Sequence, residues 1–210
     1  MGLYHYSDDH ITGDLFRFAA PWFDIAEGDL ADDADDRGGI TNHGICLAFL
    51  KLLDDKDHDG FLDGDLNYDG LVDGNDIKTI DPAIAANIYR QYFWEAYRCH
   101  QMRFLPALCL FDAVVNHKPR VAARLFQEAL RVKADGVVGP ATVAAANAIV
   151  NHESFLIDHL SRRGQFYCYI VVSDSSQATF LRGWNARLLK LTQFVQHHMT
   201  DKGDHINELS

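Results

Sequence analysis

Asp81–Arg98, DPAIAANIYRQYFWEAYR, decides the fold class of this chain. An aspartate immediately before a proline is a strong helix start: the carboxylate accepts from the first free backbone N–H groups, and proline fits the first helical position, where no N–H is needed. The residues that follow keep apolar side chains at helical rather than alternating spacing. The same period recurs in LPALCLFDAVVN (105–116), VAARLFQEAL (121–130), PATVAAANAIV (140–150) and FLRGWNARLLKLTQFVQHH (180–198). ICLAFLKLL (45–53) predicts a short buried helix, and HITGDLFRFAAPWFDIAEG (10–28) a helix interrupted by Pro21 and ending at Gly28. FYCYIVVS (166–173) is the one run with strand character, though its aromatic residues suit a helix face equally. The expectation is a mainly α-helical globule.

The chain has 210 residues, 48% hydrophobic and 11% aromatic, enough to bury a full core and incompatible with a disordered polymer. One domain, 1–210, is the simplest reading. No apolar run approaches the ~20 residues of a membrane span, so stable insertion is not expected. The first residues, MGLYHYSDDHITGDLF, lack a basic start followed by an apolar core; the expectation is a protein made in the cytoplasm without a secretory signal. A net charge of −11 argues against nucleic acid as partner, because neutralising phosphates requires a basic surface. Cys46, Cys99, Cys109 and Cys168 show no zinc-ligand spacing and are expected to be buried thiols.

Most of the acidity sits in one place. Residues 54–76 hold nine aspartates and one lysine, a local −8 that leaves −3 for the rest of the chain. Within this segment DKDHDGFLDGDLNYDGLVDGND (55–76) is a ten-residue repeat, read as an insertion over 54–77. The second copy supplies side-chain oxygens at loop positions 1, 3, 5, 9 and 12 (Asp65, Asn67, Asp69, Asp73, Asp76), a glycine at 6 (Gly70) and the Leu71 carbonyl at 7. That is the donor set and turn a calcium ion requires. Aspartate rather than glutamate at 12 resembles the loops of dockerin modules. The first copy offers Asp55, Asp57, Asp59, the Phe61 carbonyl and Asp63, but Leu66 stands at its position 12, so it would need Asp65 or a water in place of the last ligand. One calcium is predicted, with room for a second; a solvated acidic turn is the alternative for either loop.

A second acidic stretch, EGDLADDADDRGGITNHGI (27–45), contains a single glutamate. Glu27 follows an apolar segment that would desolvate it and lies where a helix dipole disfavours a carboxylate, both of which raise a carboxyl pKa. Such a group suits protonation of a leaving oxygen, as glycoside hydrolysis demands. Asp36 and Thr41 stand close enough in sequence to fold back as charge partner and water-holding hydroxyl. The remaining aspartates suit turns, where their side chains bond the backbone two residues on, and Asp36 itself admits that reading.

The same stretch resembles the E-G-G-Y-x-N-D-P-x-D-P-G-G-x-T-x-x-G-I signature of glycoside hydrolase family 108, the phage-associated N-acetylmuramidases. The resemblance continues through IYRQYFWEAYRCHQMRFLPALCLFDAVVNHKP (88–119), RLFQEALRVKADGVVGPATVAAANA (124–148) and FLRGWNARL (180–188), in order, over most of residues 10–190. Asp29-Leu30 replace the usual Gly-aromatic pair, and Ala34 and Arg37 replace two prolines. The resemblance implies a lysozyme-like helical globule, the calcium-loop pair being an insertion beyond the family pattern. It implies an endolysin that hydrolyses the β-1,4 bond between N-acetylmuramic acid and N-acetylglucosamine, with Glu27 as catalytic acid and Asp36 and Thr41 in support. Tyr92, Trp94 and Asn116 fall in family motifs and would line the sugar groove, with core packing the competing role for Trp94 and helix capping for Asn116. The implied partner is bacterial peptidoglycan, met as a monomer after holin-type release. Residues 118–150 correspond to the family's peptidoglycan-domain segment, read as an integral helical hairpin. A lytic transglycosylase using the same glutamate, and a non-catalytic calcium-dependent wall-binding or adaptor protein, are the rival readings.

Overall fold

The computed structural model describes residues 16–19, 22, 40–53 and 62–200, with side chains to residue 197. It is mainly helical, and it divides into two compact units: Ala20–Ala96, and Met1–Ala19 with Tyr97–Ser210. Most of the helix predicted over 10–28 falls outside the described residues.

In the unit Ala20–Ala96, strands β1 (Thr41–Asn42) and β2 (Ile45–Cys46) form a minimal antiparallel hairpin, Thr41 opposite Cys46. His43 (φ 48°) and Gly44 (φ 74°) both take left-handed backbone, as a two-residue turn of this hand requires. A short helix, Leu47–Leu50, follows directly. Gly64 then passes so close to it that a Cβ would lie 2.3 Å from the Leu50 carbonyl oxygen, so only glycine fits. Next come a helix at Gly74–Thr79 and one at Pro82–Tyr89, the latter capped by Asp81, which accepts from the Ile84 N–H at 2.8 Å. The cap and the proline start are as the sequence predicts. The helix does not continue as a regular α-helix: Arg90–Glu95 forms a π-helical turn that buries Trp94. Phe93 there stacks on Phe49 at 5.2 Å and tilts against Tyr89 at 5.7 Å.

With Phe16–Ala19, Leu47–Leu50, Gly74–Thr79 and Pro82–Tyr89 as α1 to α4, the larger unit is built on α5 (Phe104–Asn116), every residue of which from Phe104 to Val114 is buried. A helix apolar all round belongs at the centre of a bundle. Pro106 sits in its first turn, where the missing N–H costs nothing. Against it pack α6 (Pro119–Ala129) and α8 (His152–Ser173), with α6 also against α8 and α8 against α9 (Leu181–Thr200); α7 (Pro140–Asn147) lies between α6 and α8 in the chain. The run 166–173 belongs to α8, and the helix places Tyr167 inward and Cys168 and Tyr169 outward. This corrects the expectation for the thiols: Cys99 and Cys109 are buried, Cys46 is half-buried, and Cys168 is exposed. Burial pushes the Cys109 thiol up to about 12, which keeps it an inert packing group.

Between α6 and α7, Asp135-Gly136-Val137 is latched by one buried amide. Gln127 Nε2 donates to Asp135 Oδ1, the Val137 carbonyl and Thr142 Oγ1 at 3.0–3.1 Å, and its Oε1 accepts from the Gly136 N–H at 2.8 Å. Gly136 has φ 79°, and a Cβ there would meet Arg120 Cγ at 2.7 Å. The turn at DGVVGP is therefore both left-handed and crowded.

Candidate functional site

Of the predicted catalytic residues, Glu27 and Asp36 lie outside the described residues, as do Asp55, Asp57, Asp59 and Phe61 of the first loop. Thr41 is described, half-buried on β1. Its hairpin is fastened from two directions within the unit. Asn42 donates through Nδ2 to the carbonyls of Ile77 (3.2 Å) and Ile80 (3.0 Å), and the Tyr89 hydroxyl donates to the His43 carbonyl at 3.0 Å. Ile77 belongs to the helix Gly74–Thr79 that leaves the second aspartate loop, so the segment bearing Thr41 is tied to the loop's exit helix, one residue beyond position 12.

The second loop, 65–76, closes on its own carboxylates. Asp65 accepts from the N–H groups of Asp69 (3.1 Å) and Gly70 (2.7 Å), and Asn67 Oδ1 from Asp69 N–H at 2.9 Å. Gly70 takes φ 87°, the left-handed turn expected at position 6. Asp73 caps the exiting helix by accepting from Asn75 N–H at 2.7 Å. Asp76, fully buried, accepts from Leu66 and Asn67 through Oδ1 (2.9 and 3.2 Å) and from Asp73 through Oδ2 (2.7 Å). The donor chemistry and the turn fit a hard cation, and the residues at positions 1, 3, 5, 9 and 12 all belong to this one hydrogen-bonded turn. Their oxygens are aimed at backbone N–H groups. Among the described residues, no three or more Asp, Glu, His or Cys side chains converge as a metal site. From the first loop, Asp63 Oδ2 accepts from the Tyr92 hydroxyl at 2.9 Å.

Tyr92 is half-buried, held edge-on by Phe49 at 6.1 Å as well as by Asp63. Trp94 is 1% exposed, so in this structure it packs as a core aromatic. Asn116 is the last residue of α5, half-buried, with its side-chain oxygen accepting from the Tyr167 hydroxyl. That bond leads into a buried polar cluster in the larger unit. Asp112 accepts from Arg163 Nη1 and from Arg187 Nε (2.7 Å). Arg163 also donates to His117 Nε2 (3.2 Å) and, more weakly, to the Tyr167 hydroxyl (3.4 Å). Both Asp112 and Arg163 are fully buried. Such a pair is held in place by its hydrogen bonds, since an isolated charge at this depth would be prohibitively costly.

Desolvation, reinforced by Arg163, pushes the His117 imidazole down to about 3, so it is neutral and accepts from the guanidinium. Rings stack outward from it: His117 on Tyr167 at 5.0 Å, Tyr167 on Trp184 at 5.0 Å, and Trp184 on Phe180 at 6.0 Å. Deeper, His159 Nε2 donates to the Cys109 carbonyl at 3.2 Å, and burial pushes this imidazole also down to about 3. Asp112, His117, Arg163, Tyr167 and Arg187 were not singled out in the sequence. A signal existed: an aspartate inside LPALCLFDAVVN and an arginine four before Tyr167 on one helix face are charges in otherwise apolar positions, which must be paired.

Comparison with known proteins gives two adjoining family matches. Residues 22–117 match the model described as Glycosyl hydrolase 108, and residues 121–189 match the Predicted Peptidoglycan domain. No curated protein matches the chain. Among solved structures, that of Brucella abortus SagA aligns with TM-score 0.66 over 86% of this chain and 94% of that one, at 22% identity, a likeness of fold. The chain is thus similar to glycosyl hydrolase 108 along the stretch that holds the hairpin and the aspartate loop, and to the predicted peptidoglycan domain along the helices that hold Arg163 and Gln127.

Proposed function

We propose that this chain is a peptidoglycan-cleaving glycoside hydrolase, an N-acetylmuramidase of the endolysin type that hydrolyses the β-1,4 bond between N-acetylmuramic acid and N-acetylglucosamine. The observation that carries the reading is the glycosyl hydrolase 108 match over 22–117 set directly before a predicted peptidoglycan domain over 121–189. Glu27 would protonate the glycosidic oxygen, and Asp36 would support the oxocarbenium-like centre or activate water with Thr41. The anchoring of the Thr41 hairpin by Asn42 and Tyr89 supports this role, because a group that positions water must itself be held. Phage origin and holin-type release belong to the same proposal.

Calcium would be held by Asp65, Asn67, Asp69, Leu71, Asp73 and Asp76, with the first loop offering a second site. There it would neutralise crowded carboxylates and stiffen the loop whose exit helix Asn42 ties to the hairpin. The deciding experiment is digestion of purified sacculi followed by mass spectrometry of the products. Wild type should release muropeptides with reducing N-acetylmuramic acid ends, and Glu27→Gln should release none while keeping the wild-type circular dichroism spectrum. Full activity in the variant overturns the assignment of Glu27. Products with 1,6-anhydro ends would make the protein a lytic transglycosylase, and binding to sacculi without any release a wall-binding protein.

A further inference from the structure

The larger unit carries a cleft that the proposed chemistry does not use. It has a volume of about 550 Å³ and lies between the C-terminal ends of α6 and α7 and the first turns of α8. A second lobe adjoins it, sharing Arg131, Asn151, Ser154 and Asp158, and adds Glu153. The floor of the main lobe is made of small and aliphatic side chains, among them Ala129, Ala145 and Ala148. Neither lobe is lined by tryptophan or tyrosine, and the aromatic of the lining, Phe155, is buried. A flat ring face for a pyranose is therefore missing from this cleft.

Its charges are specific. Asp158 is already matched by Arg162, whose Nε lies 3.2 Å from Oδ1. Arg131 and Glu153 are both exposed and make no ion pair among the described residues. The backbone at Arg131 is unusual as well. Helix α6 ends in a two-bond motif, Val132 N–H to the Gln127 carbonyl and Arg131 N–H to the Glu128 carbonyl, both 3.1 Å, which places Arg131 at φ 58°. Glycine is the residue that position favours, because any side chain there is strained. An arginine kept in a strained backbone at the mouth of a cleft is more economically explained by what its guanidinium reaches than by the turn.

We propose that this cleft binds the peptide stems of peptidoglycan: short, alanine-rich chains that carry a free carboxylate and a free amine. The inference rests on peptidoglycan being the target. Arg131 would take the carboxylate as a fork, Glu153 the amine in the adjoining lobe, and the alanine floor the methyl groups. The domain would then read cross-linking state, since a cross-linked stem has lost a free amine or a terminal carboxylate.

The test titrates the full chain with the pentapeptide acetyl-L-Ala-γ-D-Glu-L-Lys-D-Ala-D-Ala, its C-terminal amide, its Nε-acetyl form and chitotetraose, followed by calorimetry and amide NMR. The free peptide should bind and shift resonances of residues 129–131 and 150–158. Amidating its carboxylate should weaken binding about tenfold, the loss of one charge-assisted fork. Arg131→Gly should weaken the free peptide to the same extent, bind the amide no worse than wild type does, and melt no lower than wild type. Glu153→Gln should weaken the free-amine peptide and leave the Nε-acetyl form unchanged. Shifts produced by chitotetraose and not by peptide, or wild-type peptide affinity in both variants, overturn the proposal. A wild-type protein that releases muropeptides from sacculi yet binds no stem peptide refutes this inference alone; one that binds the peptide yet releases nothing refutes the hydrolase reading alone.

Discussion

Two imidazoles kept neutral inside the larger unit make its stability depend on pH in a way that can be worked out. His117 and His159 are 8% and 0% exposed, and burial pushes both down to about 3, against about 6.5 for an exposed histidine. Well above pH 6.5 both are neutral, folded or unfolded, and contribute no pH dependence. As the pH falls through 6.5 the unfolded chain takes up two protons that the folded chain refuses, so the unfolded state gains and stability drops until the folded pKa is reached. Between pH 7.5 and 5.5 each imidazole should cost about 1.4 kcal/mol, or about 2.7 kcal/mol for the pair. Urea unfolding followed by circular dichroism at the two pH values measures the loss. His159→Gln retains a donor for the Cys109 carbonyl while removing the titrating ring, so the variant should lose about 1.4 kcal/mol less than wild type over the same interval. An identical pH dependence in wild type and variant would show that the buried ring accepts its proton without penalty, and would refute the reasoning.

Asp112→Ala leaves the Arg163 and Arg187 guanidiniums without the carboxylate they both meet and should cost about 3–5 kcal/mol, seen as a large fall in the urea midpoint. At Gly136, alanine would meet Arg120 and adopt a left-handed backbone, so Gly136→Ala should cost about 2 kcal/mol or more by the same assay. Asp76→Ala removes the acceptor of three backbone N–H groups and should lower the melting temperature even in chelator. If calcium occupies the loop, chelator should lower the melting temperature of wild type and leave that of Asp76→Ala unmoved; a wild-type melt indifferent to calcium removes the metal from the proposal.

Helical content was readable because capping and periodicity are local. Asp81-Pro82 and Pro140 each open a helix where the sequence places one, for reasons contained in four residues, while the helix read from Val121 begins two residues earlier, at Pro119. The π-helical turn at 90–95 was not readable: it inserts no special residue, and what selects it is the burial of Trp94 and the packing of Phe93 on Phe49. FYCYIVVS shows the reverse problem. Its composition suits a strand, but one inward tyrosine whose hydroxyl reaches Asn116 is satisfied only on a helix. At the candidate site the loop geometry around Gly70 and Asp73 follows from residue type and spacing. Asn42 escaped notice because its partners, Ile77 and Ile80, lie 35 and 38 residues away and offer backbone oxygens that any sequence would supply. The Asp112 cluster was hidden for a related reason: Asp112 and Arg163 stand out as charges in apolar runs, but the pairings come from three helices and span 46, 51 and 75 residues.

The stacking of Trp184 against Tyr167 has a practical outcome for anyone following the protein by light. Trp22 and Trp94 are sealed in the unit Ala20–Ala96, whereas Trp184 is half-exposed in the other. The red edge of the indole emission therefore belongs chiefly to one unit and the blue edge to the other. A single fluorescence cuvette can tell which of the two melts first.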